Sequence, residues 1–255
     1  MLASASATRV YVAAATLLIL IGGIVLLRQP APAMAVAPTV AQSAAPVAQA
    51  ARATVASSSS SRFPVSRYAA LDSRRDGNQA YLARDFDGAI KHFQEAIDAN
   101  PDDADSMNNL GQVLVRLNRT SEAIPYFEKA IALNGQKWSY HFNLARAAGQ
   151  LDDWKRAVAE YRTATALFPD DYPTQYNLGL ALHKLGDEEA AVKEFLRAID
   201  LAPDQPTFHL SLAMSLDRLD RRSEAVSSYE RYVQLAPAAP DAERVRQRVA
   251  DLKRP

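Results

Sequence analysis

The chain repeats itself every 34 residues, in five copies that run from residue 70 to residue 239 without insertion or deletion. One column of equivalent positions holds alanine, at Ala89, Ala123, Ala157, Ala191 and Ala225. A second holds an aromatic residue, at Phe93, Phe127, Tyr161, Phe195 and Tyr229. A third holds proline or glycine, at Pro101, Gly135, Pro169, Pro203 and Pro237. A fixed period of this length indicates a solenoid, whose function lies in a long concave surface rather than in a catalytic pocket.

Each copy contains two amphipathic patterns. In residues 104–137, Leu110, Leu114 and Leu117 form one apolar stripe, and a second stripe begins at Ala123. The spacing i, i+3, i+4 is typical of helices. Turn-forming residues separate the two patterns, at 118–120, 152–153, 186–187 and 220–221. The sequence therefore predicts an all-α fold of five helix pairs, at 70–103, 104–137, 138–171, 172–205 and 206–239.

The columns have physical reasons. A small residue stands at position 8 of the last four copies, at Gly111, Ala145, Gly179 and Ala213. We expect it to let two helices approach closely and to face the alanine column. The aromatic column is expected to fill the gap between successive copies. Proline ends the second helix because it lacks the backbone donor and clashes with the preceding turn.

These residues resemble the tetratricopeptide repeat, a family with a period of 34 and the pattern W-x2-L-G-x2-Y…A-x3-F…P. The segments NNLGQVL…EAIPYFEKAI and YNLGLAL…AAVKEFLRAIDLAP carry the resemblance, which covers two thirds of the chain. It implies a right-handed α-solenoid. Asp76 and Tyr232 depart from the pattern in the first and last copies, as terminal repeats commonly do.

The segment 240–255 follows the last copy. Its apolar stripe, Ala242, Val245, Val249 and Leu252, predicts a helix that caps the solenoid. Its many basic residues leave open a helix that binds a membrane surface or a partner.

The first 66 residues have a different composition. Val10 to Leu27 is uncharged and, as a helix, about 27 Å long, close to the ~30 Å bilayer core. We predict a transmembrane signal anchor at 1–28 and a disordered Ala/Pro/Ser-rich linker at 29–66. The small residues after the apolar run are also typical of a cleavage site, so the alternative is a signal peptide that is removed to give a secreted protein. The near absence of charge in the linker favours translocation, so we expect a single-pass protein whose repeats lie outside the cytoplasm, in the periplasm of a bacterium.

Several function classes are disfavoured. The chain has 29 basic and 29 acidic residues, so it lacks the basic character of nucleic-acid-binding proteins. It has no cysteine, its four histidines do not cluster, and no phosphate loop or H-E-x-x-H motif occurs. Paired acids such as Asp152–Asp153 lie at turns, where capping is expected. We predict no enzyme activity, no cofactor and no metal.

The resemblance implies that the first helix of each pair lines the concave groove, at positions 2, 5, 6, 9, 12 and 13. Position 6 holds Asn109, Asn143 and Asn177. An amide side chain both donates and accepts, and so matches the peptide groups of an extended ligand. The alternative is that asparagine is simply a common family residue there. The other predicted peptide-binding residues are Arg74, Asn78, Arg116, Arg146, Phe142, Tyr176 and Lys184.

The basic residues of this set favour an acidic partner. The alternative is that Arg116 and Lys184 compensate the macrodipole at helix C-termini. The family also has a carboxylate clamp for chaperone tails. Arg74, Asn78 and Asn109 match three of its five positions, but Ser139 and Asn143 stand where two basic residues are needed, so the clamp is incomplete.

The sequence thus predicts a membrane-tethered scaffold that holds a protein or peptide segment in its groove, in the assembly of an envelope or membrane complex. The alternative is a structural module whose repeats assemble into a homo-oligomer with no groove ligand.

Overall fold

The computed structural model describes residues 65–254, which form eleven helices and no strand. The helices are α1 (Val65–Leu82), α2 (Phe86–Ala99), α3 (Ala104–Arg116), α4 (Thr120–Leu133), α5 (Trp138–Gln150), α6 (Trp154–Leu167), α7 (Tyr172–Leu185), α8 (Glu188–Leu201), α9 (Pro206–Arg218), α10 (Arg222–Leu235) and α11 (Ala242–Leu252). Consecutive helices pack as pairs along an all-helical solenoid. Helices α3, α5, α7 and α9 each begin at a predicted repeat boundary, whereas α1 begins five residues before residue 70.

The predicted membrane anchor and nearly all of the predicted linker lie outside the described residues. Within residues 65–254, no helix is long and apolar enough to cross a bilayer.

The turn inside each repeat has the same conformation in all five copies. One residue adopts a positive φ between 54° and 82°, at Arg84, Asn118, Asp152, Gly186 and Asp220. Asparagine, aspartate and glycine tolerate this region well. In three copies the next residue is an aspartate whose side chain caps the second helix, at Asp85, Asp153 and Asp187. The acidic pair Asp152–Asp153, at the turn of the third repeat, therefore has a structural role.

The small residue at position 8 packs against the aromatic ring of its own repeat. A Cβ atom built on Gly179 would stand 2.6 Å from the ring of Phe195, and the pairs Gly77–Phe93 and Gly111–Phe127 are equally close. We expected the alanine column to face this position and the ring to fill the gap between copies. The ring of the same repeat thus occupies the space left by the missing side chain, and the contact between position 8 and the alanine column stays a prediction.

Position 8 also varies together with the aromatic column. Glycine is paired with phenylalanine in the first, second and fourth repeats, whereas Ala145 and Ala213 are paired with Tyr161 and Tyr229. All these alanines and rings are buried. Two alternative packings of the same site thus coexist in one chain.

A polar contact joins successive repeats at position 4. A side-chain N–H donates to the backbone carbonyl that ends the preceding repeat, in the pairs His141–Gly135 (3.1 Å), Gln175–Pro169 (3.1 Å) and His209–Pro203 (2.8 Å). These carbonyls follow the ends of the second helices, where intrahelical donors are lacking. The two histidines that share a position in the sequence therefore have a structural role between repeats.

Helix α11 lies against α10 at the C-terminal end of the solenoid. Its Ala242 and Val245 are buried, and its Arg248 forms a bidentate ion pair with Asp217 of α9. The other basic side chains within α11, Arg244 and Arg246, pair with acidic residues of the same segment.

Candidate ligand-binding groove

The odd-numbered helices form the inner layer of the solenoid. At three of their four junctions, α1–α3, α3–α5 and α7–α9, odd helices of successive repeats contact each other directly, whereas successive even helices do so at most marginally. Helices on the inside of a curved stack approach more closely than those on the outside. The surface of α1, α3, α5, α7 and α9 is therefore the concave face, and we call it the groove.

A chain of amide side chains crosses the groove from α5 to α1. The Asn143 amide donates to the Asn108 carbonyl (2.9 Å), and the Asn108 amide donates to Asn109 (3.2 Å). Asn109 donates in turn to Asn78 (2.9 Å) and accepts a bond from Gln112 (3.3 Å). We call these five residues the amide chain. It places donors and acceptors of peptide type on three successive inner helices.

The position-6 asparagines differ in exposure. Asn109 is partly exposed at the centre of the amide chain, Asn143 is 6% exposed, and Asn177 is fully buried. The sequence analysis missed Asn108 and Gln112, although both occupy groove positions of the family, 5 and 9. That all three position-6 amides contact a ligand stays a prediction, and Asn109, Asn78 and Gln112 are the most accessible members of the amide chain.

Arg74 lies in an ionic cluster at the N-terminal end of the groove. Its guanidinium contacts Asp103 (2.7 Å) and Asp105 (3.5 Å), and Asp105 also accepts bonds from Lys137 and the Tyr140 hydroxyl. Burial favours a higher pKa for Asp105, but the bonds from Lys137 and Tyr140 outweigh it and lower the pKa. The cluster borders a cleft of about 800 Å³. Arg74 is thus already paired with carboxylates of its own chain.

The two predicted aromatic contacts lie in the core. Phe142 and Tyr176 are each 2% exposed. Phe142 packs edge-on against Tyr161. The ring centroids of Tyr176 and Phe208 lie 4.5 Å apart, and the Tyr176 hydroxyl lies 3.0 Å from the Ser211 hydroxyl. Phe142 therefore packs within its own repeat, whereas Tyr176 contributes to the packing against the next repeat.

Arg116, Arg146 and Lys184 are the remaining predicted residues. Arg116 and Lys184 are exposed near the ends of α3 and α7, and no ion pair holds either of them within residues 65–254. Arg146 lies inside α5, half-buried, with its guanidinium 5.9 Å from the Phe142 ring. These three cations are the part of the predicted set that has no carboxylate partner in the described structure.

A second polar cluster lies at the C-terminal part of the groove. His183 Nδ1 is 2.8 Å from Glu188 Oε2 and 3.0 Å from the Ser215 hydroxyl, and Arg218 contacts Glu188 at 2.7 Å. Burial lowers the pKa of His183 and opposes the effect of Glu188, which favours the charged imidazole. The Ser215 hydroxyl and the Glu188 carboxylate both contact Nδ1 of His183. In a catalytic triad they would contact different ring nitrogens, so this imidazole cannot relay a proton between them. The cluster links α7, α8 and α9.

Comparisons with known proteins agree on the repeat. A model of the family described as tetratricopeptide repeat matches residues 75–137 and 142–206, which is half of the chain. No curated protein sequence matches the chain.

Solved structures share the fold. MamA has 20% sequence identity and a TM-score of 0.63, over 69% of this chain and 94% of that chain. YrrB, described as a TPR protein with an unusual peptide-binding site, has 17% identity and a TM-score of 0.64, over 70% of this chain and 92% of its own. MamA 41-end from Desulfovibrio magneticus RS-1 has 19% identity and a TM-score of 0.63, over 68% and 97%. At these identities the likeness concerns the fold alone.

Proposed function

The chain belongs to the tetratricopeptide repeat family, and from this premise we propose that it is a membrane-tethered scaffold that holds an extended segment of a partner protein in its groove. The observation that carries the proposal is the amide chain. Its carbonyls and amides lie on α1, α3 and α5, the order in which a segment running along the groove crosses the helices. The N–H and C=O groups of a ligand backbone would bond to these side chains in place of the bonds that the side chains make with one another.

Dimensions support an extended ligand. Packed helices lie about 8–10 Å apart, and an extended chain rises about 3.3 Å per residue, so about three ligand residues correspond to each inner helix. Five inner helices then accommodate a segment of roughly 12 to 15 residues. Each side-chain bond to the ligand backbone contributes about 0.5–1.5 kcal/mol net. Micromolar affinity corresponds to about 8 kcal/mol, so several repeats must act together.

The membrane part of the proposal rests on the sequence of residues 1–66. The uncharged run Val10–Leu27 would anchor the chain, and residues 29–64, which precede α1, would act as a tether with a reach of about 35 Å. We place the repeats outside the cytoplasm, in the periplasm of a bacterium, where the scaffold would assist assembly of an envelope or membrane complex. Cleavage after the apolar run would release the same scaffold as a secreted protein.

Replacing the accessible amides tests groove capture. The full-length variant Asn78→Ala/Asn109→Ala/Gln112→Ala should recover about tenfold less partner after chemical cross-linking in its own membrane, because three ligand bonds are lost together. Quantitative mass spectrometry measures the recovery. The matched control replaces three exposed polar residues of the even helices, Thr163, Ser227 and Gln234, with alanine and should capture partners as the wild type does.

Equal recovery by the groove variant and the wild type would contradict the proposal. Light scattering on the full-length protein in neutral detergent then identifies the rival function. A mass that increases with protein concentration, together with unchanged partner capture by the groove variant, would indicate self-assembly and a groove that binds no ligand.

A further inference from the structure

Charges in the groove are unequally matched. Its carboxylates are held by cations of the same chain: Lys137 and Arg74 contact Asp105, and Arg75 contacts Asp72 and Asp76. Asp217 is held by the bidentate contact from Arg248. By contrast Arg116, Arg146 and Lys184 form no ion pair within the described residues. The groove therefore carries an excess of positive charge although residues 67–255 have four more acidic than basic side chains.

Arg146 is the least expected of these cations. Arg116 and Lys184 lie in the last turns of α3 and α7, where a positive charge compensates the helix macrodipole. Arg146 lies within α5, four residues before its last helical residue, Gln150, and outside its last turn, so it has no such role. Its Nε is buried and forms no hydrogen bond with any of the residues that the structure describes. Buried polar atoms are nearly always bonded, so this nitrogen requires an explanation.

Among residues 65–254, no carboxylate forms an ion pair with Arg146. The like charge of Arg116 acts on its guanidinium, and Phe142, Tyr81 and Tyr161 supply aromatic groups. Burial lowers the pKa of Arg146, and the charge of Arg116 acts in the same direction. Residues 1–66 contain no aspartate or glutamate, so that part of the chain supplies no side-chain carboxylate either.

We propose that Arg146, assisted by the charge of Arg116, anchors one aspartate or glutamate side chain of the extended segment in the groove. The inference rests on the proposed function and adds the chemistry of the ligand. A guanidinium binds a carboxylate through two parallel N–H donors, and a partly buried position strengthens such a pair. Because Arg146 lies in the third of five inner helices, the anchor fixes the register of the ligand along the groove.

The test compares two fluorescent peptides of about 12 residues, one alternating glutamate with serine and the other alternating glutamine with serine. Fluorescence anisotropy measures their binding to the full-length protein in neutral detergent. The glutamate peptide should bind about tenfold more tightly, and Arg146→Gln should remove that preference. Arg162→Gln, the same change of charge on exposed α6, should leave it within about twofold.

Two further measurements separate an anchor from a structural residue. The Arg146 Nε–Hε resonance, assigned by its loss in Arg146→Gln, should shift on addition of the glutamate peptide. The thermal midpoint of Arg146→Gln should equal or exceed that of the wild type, because the substitution removes an unpaired, partly buried charge. A lowered midpoint would assign Arg146 a structural role and overturn the proposal.

Equal binding of the two peptides, unaffected by Arg146→Gln, would overturn the anchor while leaving the groove as a peptide site. Absence of binding together with an unshifted Nε–Hε resonance would also overturn it. The proposed function fails on a different observation, the unchanged capture of native partners by the Asn78/Asn109/Gln112 variant.

Discussion

Replacing Phe127 with alanine is expected to lower the free energy of unfolding by about 3–5 kcal/mol. The ring is fully buried and fills the space beside Gly111, so its loss removes a large apolar contact and leaves a cavity. Each repeat of a solenoid contacts mainly its neighbours, so we expect α3 and α4 to lose protection first. Urea unfolding measures the total effect, and hydrogen exchange by mass spectrometry locates it.

Leu196→Ala is the control for this substitution. It removes an apolar side chain of α8 that is 45% exposed, so it should lower stability by less than about 1 kcal/mol. An equal loss in the two variants would show that the aromatic column does not dominate the packing.

Gly179→Ala is expected to be destabilising although alanine favours helices by about 1 kcal/mol over glycine. The new methyl group would lie 2.6 Å from the ring of Phe195, and such overpacking typically costs about 1–3 kcal/mol. The converse change, Ala145→Gly at the same position of the third repeat, loses both helix propensity and a buried methyl group and should cost about 2 kcal/mol. Urea unfolding of both variants gives the two free energies.

A double-mutant cycle tests whether the glycine and the ring form one packing unit. Gly179→Ala/Phe195→Tyr recreates the alanine–tyrosine pair of the third and fifth repeats, and we expect it to lose less stability than the sum of its single changes. Interaction energies between contacting residues are commonly about 0.5–3 kcal/mol. Additive effects, or a Gly179→Ala variant as stable as the wild type, would refute the coupling.

The period of 34 residues predicted the helix pairs because each copy must satisfy the same packing contacts. The helices α3, α5, α7 and α9 begin one period apart, at residues 104, 138, 172 and 206. The contact between position 8 and the ring of its own repeat was not predicted, because the period alone does not give the direction in which a side chain points. The distance between Gly179 and the Phe195 ring reveals this contact.

The groove could be predicted less completely than the fold. Family positions identified Asn109, Asn78 and Arg146 as inner residues, and the structure places all three on odd helices. Hydrogen-bond partners depend on the stagger between neighbouring helices, which a one-dimensional period does not contain. For this reason the links of Asn108 to Asn109 and Asn143, and the ion pairs that engage Arg74, emerge only from the structure.

Photo-cross-linking from inside the groove tests most directly whether it holds an extended partner segment. A benzophenone amino acid replaces Asn78, Gln112 or Met214 in the full-length protein in its own membrane, and Lys129 on α4 serves as the outer-surface control. We predict that the three groove sites cross-link to one segment of one partner, in consecutive order along its sequence, and that Lys129 does not. The account would be contradicted if the Lys129 site gave the same cross-linked products as the groove sites. It would also be contradicted if the groove sites cross-linked to many unrelated proteins.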